Sequence, residues 1–172
     1  MLQINNDFRK DLEYSLDPVR NETYDKFYYE QFPQLESVKS VEDLTEQSKG
    51  IDKILYFPNG NKVKVEEKTR TKDFNDILLE LYSNYAEKKL GWLYTCQSEY
   101  LMYYVQPSKK AYILPMQLLR MAWKNNKIEW QKQYKTSQAK NKNYVSLNIA
   151  IPEKVLMEAL INEMCKTYKT NI

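Results

Sequence analysis

The stretch Gly50-Ile51-Asp52-Lys53-Ile54-Leu55-Tyr56-Phe57-Pro58-Asn59-Gly60-Asn61-Lys62-Val63-Lys64-Val65-Glu66-Glu67-Lys68-Thr69-Arg70 decides how this chain is read. It reads as two strands joined by a tight turn at Asn59-Gly60. A strand points residues i and i+2 to one face. Lys62, Lys64, Glu66, Lys68 and Arg70 therefore share one face of the second strand, and Val63, Val65, Glu67 and Thr69 share the other. The hairpin brings Asp52 within reach of Glu66 and Lys68. Two carboxylates and a lysine converging on a sheet surface suit a metal ion and an activated water, the chemistry of phosphodiester hydrolysis. The bland alternative is a solvated hairpin face, which alternates in the same way, with a salt bridge between neighbouring strands.

Composition narrows the chemistry further. The 172 residues suit one domain with a real core, and 42% hydrophobic with 28% charged residues is ordinary for a globular chain. No apolar run is long enough to span a bilayer, and the N-terminus lacks the basic-then-apolar shape of a signal peptide. Cys96 and Cys165 are too few for a disulfide framework, so a reducing cytoplasm is the expected location. The chain has no histidine, which excludes Ser-His and Cys-His pairs, HNH-type nucleases and His-based zinc sites. Gly50, Gly60 and Gly91 are the only glycines, too scattered for a phosphate-cradling loop. Carboxylate, lysine, tyrosine and hard metals remain.

Net charge is only +3, so the distribution of charge matters more than its sum. Residues 124–142 hold six lysines, one acid and two aromatics. Such a segment suits a phosphate backbone with stacking bases, Lys132, Lys135 and Lys140 being its candidate contacts; the competing reading is a solvated polar loop. The fifteen tyrosines fall largely at core-like positions such as Tyr24, Tyr28, Tyr82 and Tyr103, and suggest no tyrosine-based site.

Along the chain, the first fifty residues read as helical. Phe8, Leu12 and Leu16 repeat at four, and Tyr24, Phe27, Tyr28 and Phe32 form a stripe that ends before Pro33. Residues 39–49 read as a polar connection with a short helical turn. After the hairpin, Phe74, Ile77, Leu78, Leu81, Tyr82 and Tyr85 predict a helix over 73–89, capped by Asp73, with Glu80 on its solvated flank. Residues 92–95, 100–105, 111–114 and 144–149 read as strands; 115–125 and 152–168 read as helices. The expected fold is mixed α/β or α+β, a mixed central sheet flanked by helices in one domain over 1–172. Its parts are a helical 1–49, a core over 50–126, and a basic loop, strand and helix over 127–172.

Asp52 and Glu66-Glu67-Lys68 in this hairpin context resemble the PD-(D/E)XK nuclease superfamily, with its restriction-endonuclease-like fold. The wider stretch 48–126 is similar to small phage and bacterial proteins of that superfamily, through Glu66-Glu67-Lys68-Thr69-Arg70, Asp76-Ile77-Leu78-Leu79-Glu80, Gly91-Trp92 and Leu118-Leu119-Arg120-Met121-Ala122-Trp123. The resemblance implies a metal-dependent endo- or exonuclease acting on nucleic acid, DNA first, with Mg²⁺ or Mn²⁺ as cofactor. It implies Asp52, Glu66 and the backbone carbonyl of Glu67 as metal ligands, and Lys68 as the group that orients water or stabilises the transition state. A carboxylate of the N-terminal helix, Glu30 ahead of Glu36, is expected to position a second metal or water. Lys64 and Arg70 are expected on flanking phosphates, with Gln97 and Glu99 as late contributors. Duplex cutters of this class often work as homodimers. The alternative is a non-catalytic binding protein on the same fold, a phage-type inhibitor with a protein partner or a nucleic-acid-binding module. Two departures stand out. Ile51 replaces the proline before the first acid, and the superfamily order of helix, three strands, helix, strand is broken by a long helix expected directly after the second strand.

Overall fold

A computed structural model describes residues 18–141 and 144–166, and all statements of structure concern these. The Phe8, Leu12 and Leu16 repeat, Lys142 and the expected helix end at 168 lie outside them. In chain order the elements are α1 (Pro18–Gln31), β1 (Ser37–Ser40), α2 (Leu44–Gln47), β2 (Lys53–Tyr56), β3 (Lys62–Arg70), β4 (Asp76–Asn84) and β5 (Lys89–Leu90). They continue with α3 (Trp92–Thr95), β6 (Tyr100–Val105), β7 (Lys110–Pro115), α4 (Met116–Gln133), β8 (Thr136–Lys140), β9 (Val145–Pro152) and α5 (Glu153–Met164). The strands form a five-stranded sheet of order β1-β2-β3-β6-β7 and a four-stranded sheet of order β5-β4-β9-β8. The first sheet is mixed, because β3 and β6 run parallel while its other neighbours are antiparallel. The fold is α+β, as expected.

The β2–β3 hairpin forms, but its turn is centred on Pro58-Asn59 and not on Asn59-Gly60: the Gly60 amide donates to the Phe57 carbonyl at 3.0 Å and the Phe57 amide to the Asn61 carbonyl at 3.1 Å. Val65 lies opposite Lys53 and Lys62 opposite Tyr56. Gly60 takes a φ of +76° in the connecting turn, a conformation that suits glycine because it lacks a Cβ. Helix α1 covers one face of this sheet. Its Tyr24 and Tyr28 are buried against Leu55, Val65 and Met102, and the Tyr28 hydroxyl donates to Glu67 Oε1 at 2.8 Å. The opposite face of β6 and β7 packs against the second sheet, α4 and α5, in a larger core that includes Leu79, Leu101, Leu119, Trp123, Ile149 and Leu156.

The helix expected over 73–89 is instead strand β4 with a turn into β5. Ile77, Leu79 and Leu81 are buried and alternate with half-exposed Asp76, Leu78, Glu80 and Tyr82, a period of two. Phe74 and Tyr85, which the helical stripe would bury, are 61% and 47% exposed. A run of Ile, Leu and Tyr satisfies both periodicities, and pairing with β9 decides between them. Asp73 caps a turn, accepting from the Asn75 amide at 2.9 Å, and does not start a helix.

Other boundaries moved for similar reasons. Residues 37–40 pair with β2 and add a strand that polar composition hid. Residues 92–95 form one helical turn, not a strand. Helix α4 runs on to Gln133, where buried Trp130 packs against Trp123 with ring centres 6.2 Å apart, and part of the expected basic loop is the edge strand β8. No helix among the described residues is long and apolar enough to cross a membrane.

Candidate active site

Asp52 enters β2 with its amide donating to the Val65 carbonyl at 2.9 Å, which sets it across the hairpin from Glu66. Its Oδ2 accepts from the Glu67 amide at 2.7 Å, so the backbone of β3 fixes the carboxylate. Glu66 and Lys68, two apart on β3, share a face. The Lys68 ammonium donates to Glu66 Oε1 in a close ion pair. The three predicted residues Asp52, Glu66 and Lys68 are thus brought together.

Glu66 is only 4% exposed. Gly50 is the wall over it. A Cβ at Gly50 would sit 3.0 Å from Glu66 Oε2 and 2.9 Å from Cys96 Sγ, and Gly50 has a φ of +75°. Ser98 Oγ and Cys96 Sγ donate to the Gly50 carbonyl at 2.5 and 3.3 Å and hold it there. Burial pushes the Glu66 carboxyl up to about 7 against the pull of Lys68, and Asp52 pushes in the same direction as burial. For Lys68, burial works to lower the pKa, but the charges of Glu66, Asp52 and Glu80 outweigh it and raise the ammonium above its ordinary value. Burial thus weakens the charged form of Glu66, while the surrounding carboxylates strengthen that of Lys68.

Glu80 is the residue that sequence reasoning missed. It is not a solvated helix residue. It sits half-buried on β4, and its Oε2 accepts from the Trp92 amide at 3.0 Å at the start of α3. Its negative charge reaches Lys68 from the second sheet. The one sequence signal was Gly91, whose missing Cβ would lie 2.4 Å from the Glu80 carbonyl oxygen.

The remaining candidates are placed elsewhere or otherwise engaged. Glu30 is exposed on α1, which covers the opposite face of the sheet from Glu66, and Glu36 is exposed after it. The acid that α1 does bring to the strands is Asp25, 3.1 Å from the buried ammonium of Lys53. The Glu67 side chain points to α1, as its bond to Tyr28 requires. Arg70 pairs with Asp76 at 2.8 Å, donates to the Lys72 carbonyl at 3.2 Å and lies over Phe74, so it ties β3 to the start of β4. Lys64 stays on the Glu66 face, its amide donating to Glu99 Oε2 at 2.6 Å. Gln97 and Glu99 are exposed ahead of β6. Lys132, Lys135 and Lys140 are exposed at the end of α4 and on β8, in a different sheet from Asp52 and Glu66.

The donor set can be tested against a metal. Asp52 and Glu66 offer hard oxygen atoms side by side; burial first, and Asp52 after it, disfavour the charged form of Glu66, and a cation between the two carboxylates would offset both. Among the described residues no group of three His, Cys, Asp or Glu side chains gathers to hold a metal. Two carboxylates fit Mg²⁺ or Mn²⁺, which keep waters or substrate oxygens in their shells, and do not fit zinc. Set beside family models, curated proteins and solved structures, the chain matches none of them.

Proposed function

We propose that this chain is a metal-dependent nuclease of the PD-(D/E)XK type that hydrolyses phosphodiester bonds in nucleic acid, DNA first. The observation that carries the reading is the meeting of Asp52, buried Glu66 and Lys68 on one sheet face. The topology lends support. Helix α1, strands β1, β2 and β3 with the short α2 between the first two, the single turn α3 and the parallel strand β6 can be matched to the superfamily order, but β4 and β5 of the second sheet stand where the long helix was expected and still interrupt it.

Each residue has a part to play. A divalent cation held by Asp52 and Glu66 supplies Lewis acidity toward water and phosphate when bound. The Glu67 amide holds Asp52 Oδ2, which would orient this carboxylate as a ligand. Burial disfavours the charged form of Glu66, and a cation beside it would favour that form again. Lys68 carries a compact positive charge that offsets negative charge growing on the phosphate oxygens, without giving up its proton.

The test is a cleavage assay on plasmid, linear duplex, single-stranded DNA and RNA, with Mg²⁺ or Mn²⁺ against EDTA. Metal-dependent cutting is expected, and Asp52→Asn, Glu66→Gln and Lys68→Ala are each expected to reduce it by at least a hundredfold. A folded wild type that cuts none of these substrates overturns the reading in favour of a binding protein.

A further inference from the structure

The front of the hairpin carries a second feature, ahead of the carboxylates. Along β2, Lys53 and Leu55 turn toward α1. Ile54 and Tyr56 therefore share the Asp52 face, and neither belongs to either hydrophobic cluster. The registers extend this face sideways, with Lys39 and Lys64 on either side of Ile54 and Lys62 opposite Tyr56. The ammonium groups of Lys39 and Lys62 stand 5.2 and 5.3 Å from the centre of the Tyr56 ring. Lys39, Lys62 and Lys64 form no ion pair among the described residues. The neighbouring acids are Glu36, before β1, and Glu99, whose carboxylate is engaged by the Lys64 amide. Tyr56 lies four residues from Asp52, about 13 Å along an extended strand.

We infer that this face is a track for single-stranded nucleic acid, with one base stacked on Tyr56 and the flanking phosphates held by Lys39, Lys62 and Lys64. The binding stands by itself; the delivery of that strand to Asp52, Glu66 and Lys68 rests on the nuclease reading. An aromatic ring among lysines is what an unpaired strand recognises, because each base has a face to stack and each phosphate a charge to neutralise. In a duplex those base faces are already covered by their neighbours. Tyr56 is half-buried, with the Lys39 and Lys62 ammonium groups over its ring; such contacts at a surface are weak, so a base can take the ring while the ammonium groups move to phosphates. In the rival basic segment Trp130 is buried and Tyr134 packs on the core, and the exposed ring is Tyr144, at the turn beside Lys140 and away from Lys132 and Lys135 in sequence.

The test measures fluorescence anisotropy of a short labelled single strand, and of its duplex, with wild-type protein in EDTA so that nothing is cut. Expected are a preference for the single strand and a loss of roughly tenfold or more on Tyr56→Ala, with Tyr56→Phe near wild type. Replacing Lys39, Lys62 and Lys64 with alanine should flatten the dependence of log affinity on log salt by about 2. Circular dichroism and melting of each variant separate loss of binding from loss of fold. Duplex preference, no single-strand binding, indifference to Tyr56→Ala in a folded variant, or loss only on Lys132→Ala, Lys135→Ala and Lys140→Ala overturns the inference. Binding that depends on Tyr56 without any metal-dependent cutting keeps the track and removes the nuclease. Cutting that ignores Tyr56 does the reverse.

Discussion

Gly50 does two jobs that no other residue type performs at that position. It adopts a φ of +75°, and it lets the backbone lie against Glu66 Oε2 and Cys96 Sγ. Gly50→Ala should therefore cost about 1–3 kcal/mol, read from the urea midpoint, because it adds backbone strain and a contact against a buried carboxylate. Gly60→Ala, where a Cβ would meet nothing within 4 Å, should cost less, since only the backbone strain remains. Glu66 supplies a pH dependence with a definite sign. Its folded pKa of about 7 lies above the ordinary 4.5, so the folded state keeps a proton that the unfolded chain has released. The stability from that proton is fully present below about pH 4.5 and lost as pH rises through about 7. In EDTA the melting temperature should fall between about pH 5 and pH 8, and Glu66→Gln should remove most of that slope. Mg²⁺ should raise the melting temperature more at the alkaline end, where it has no proton to displace. At this scale Asp52, Glu66 and Lys68 were legible, since one strand period and one turn bring them together. Glu80 was not, because its influence on Lys68 crosses from one sheet to another.

Among the elements, β4 is where local pattern and tertiary structure part company. A helix over 73–89 would bury Phe74, whereas the strand buries Leu79 among β9 and the core while Phe74 stays exposed. Leu79→Ala should cost about 2–5 kcal/mol in urea unfolding, and Phe74→Ala should stay within about 1 kcal/mol. Equal costs would contradict the strand. The sequence of β4 could not decide this alone, because Ile77, Leu78, Leu81 and Tyr82 meet the helical period as well as Ile77, Leu79 and Leu81 meet the strand period. Strand β1 was hidden for another reason: Ser37, Val38, Lys39 and Ser40 gain their strand character only from pairing with β2. The β2–β3 hairpin was legible because its turn chemistry and its alternation agree.

Across the whole molecule, the class α+β followed from composition and patterning, whereas the division into two sheets did not. Which strands share a sheet is set by pairings between residues far apart in the chain, such as Ile77 with Ile151. The parallel pairing of β3 with β6 has a consequence for how the protein is made. The chain leaves the first sheet after Arg70, lays down β4 and β5 in the second, and only then returns at Tyr100 to complete the first. Sheet two in turn waits for β8 and β9, more than fifty residues after β4 begins. Sheet one must wait for the excursion through β4 and β5 before β6 and β7 complete it at Pro115, so loop closure precedes much of the reward. Urea unfolding followed by tryptophan fluorescence and by far-ultraviolet circular dichroism should give coincident curves, and refolding should be slow for a chain of this length. During synthesis the emerging polypeptide would hold its hairpin carboxylates before β6 arrives, and the face that carries Asp52, Glu66 and Lys68 would gain its parallel neighbour only then.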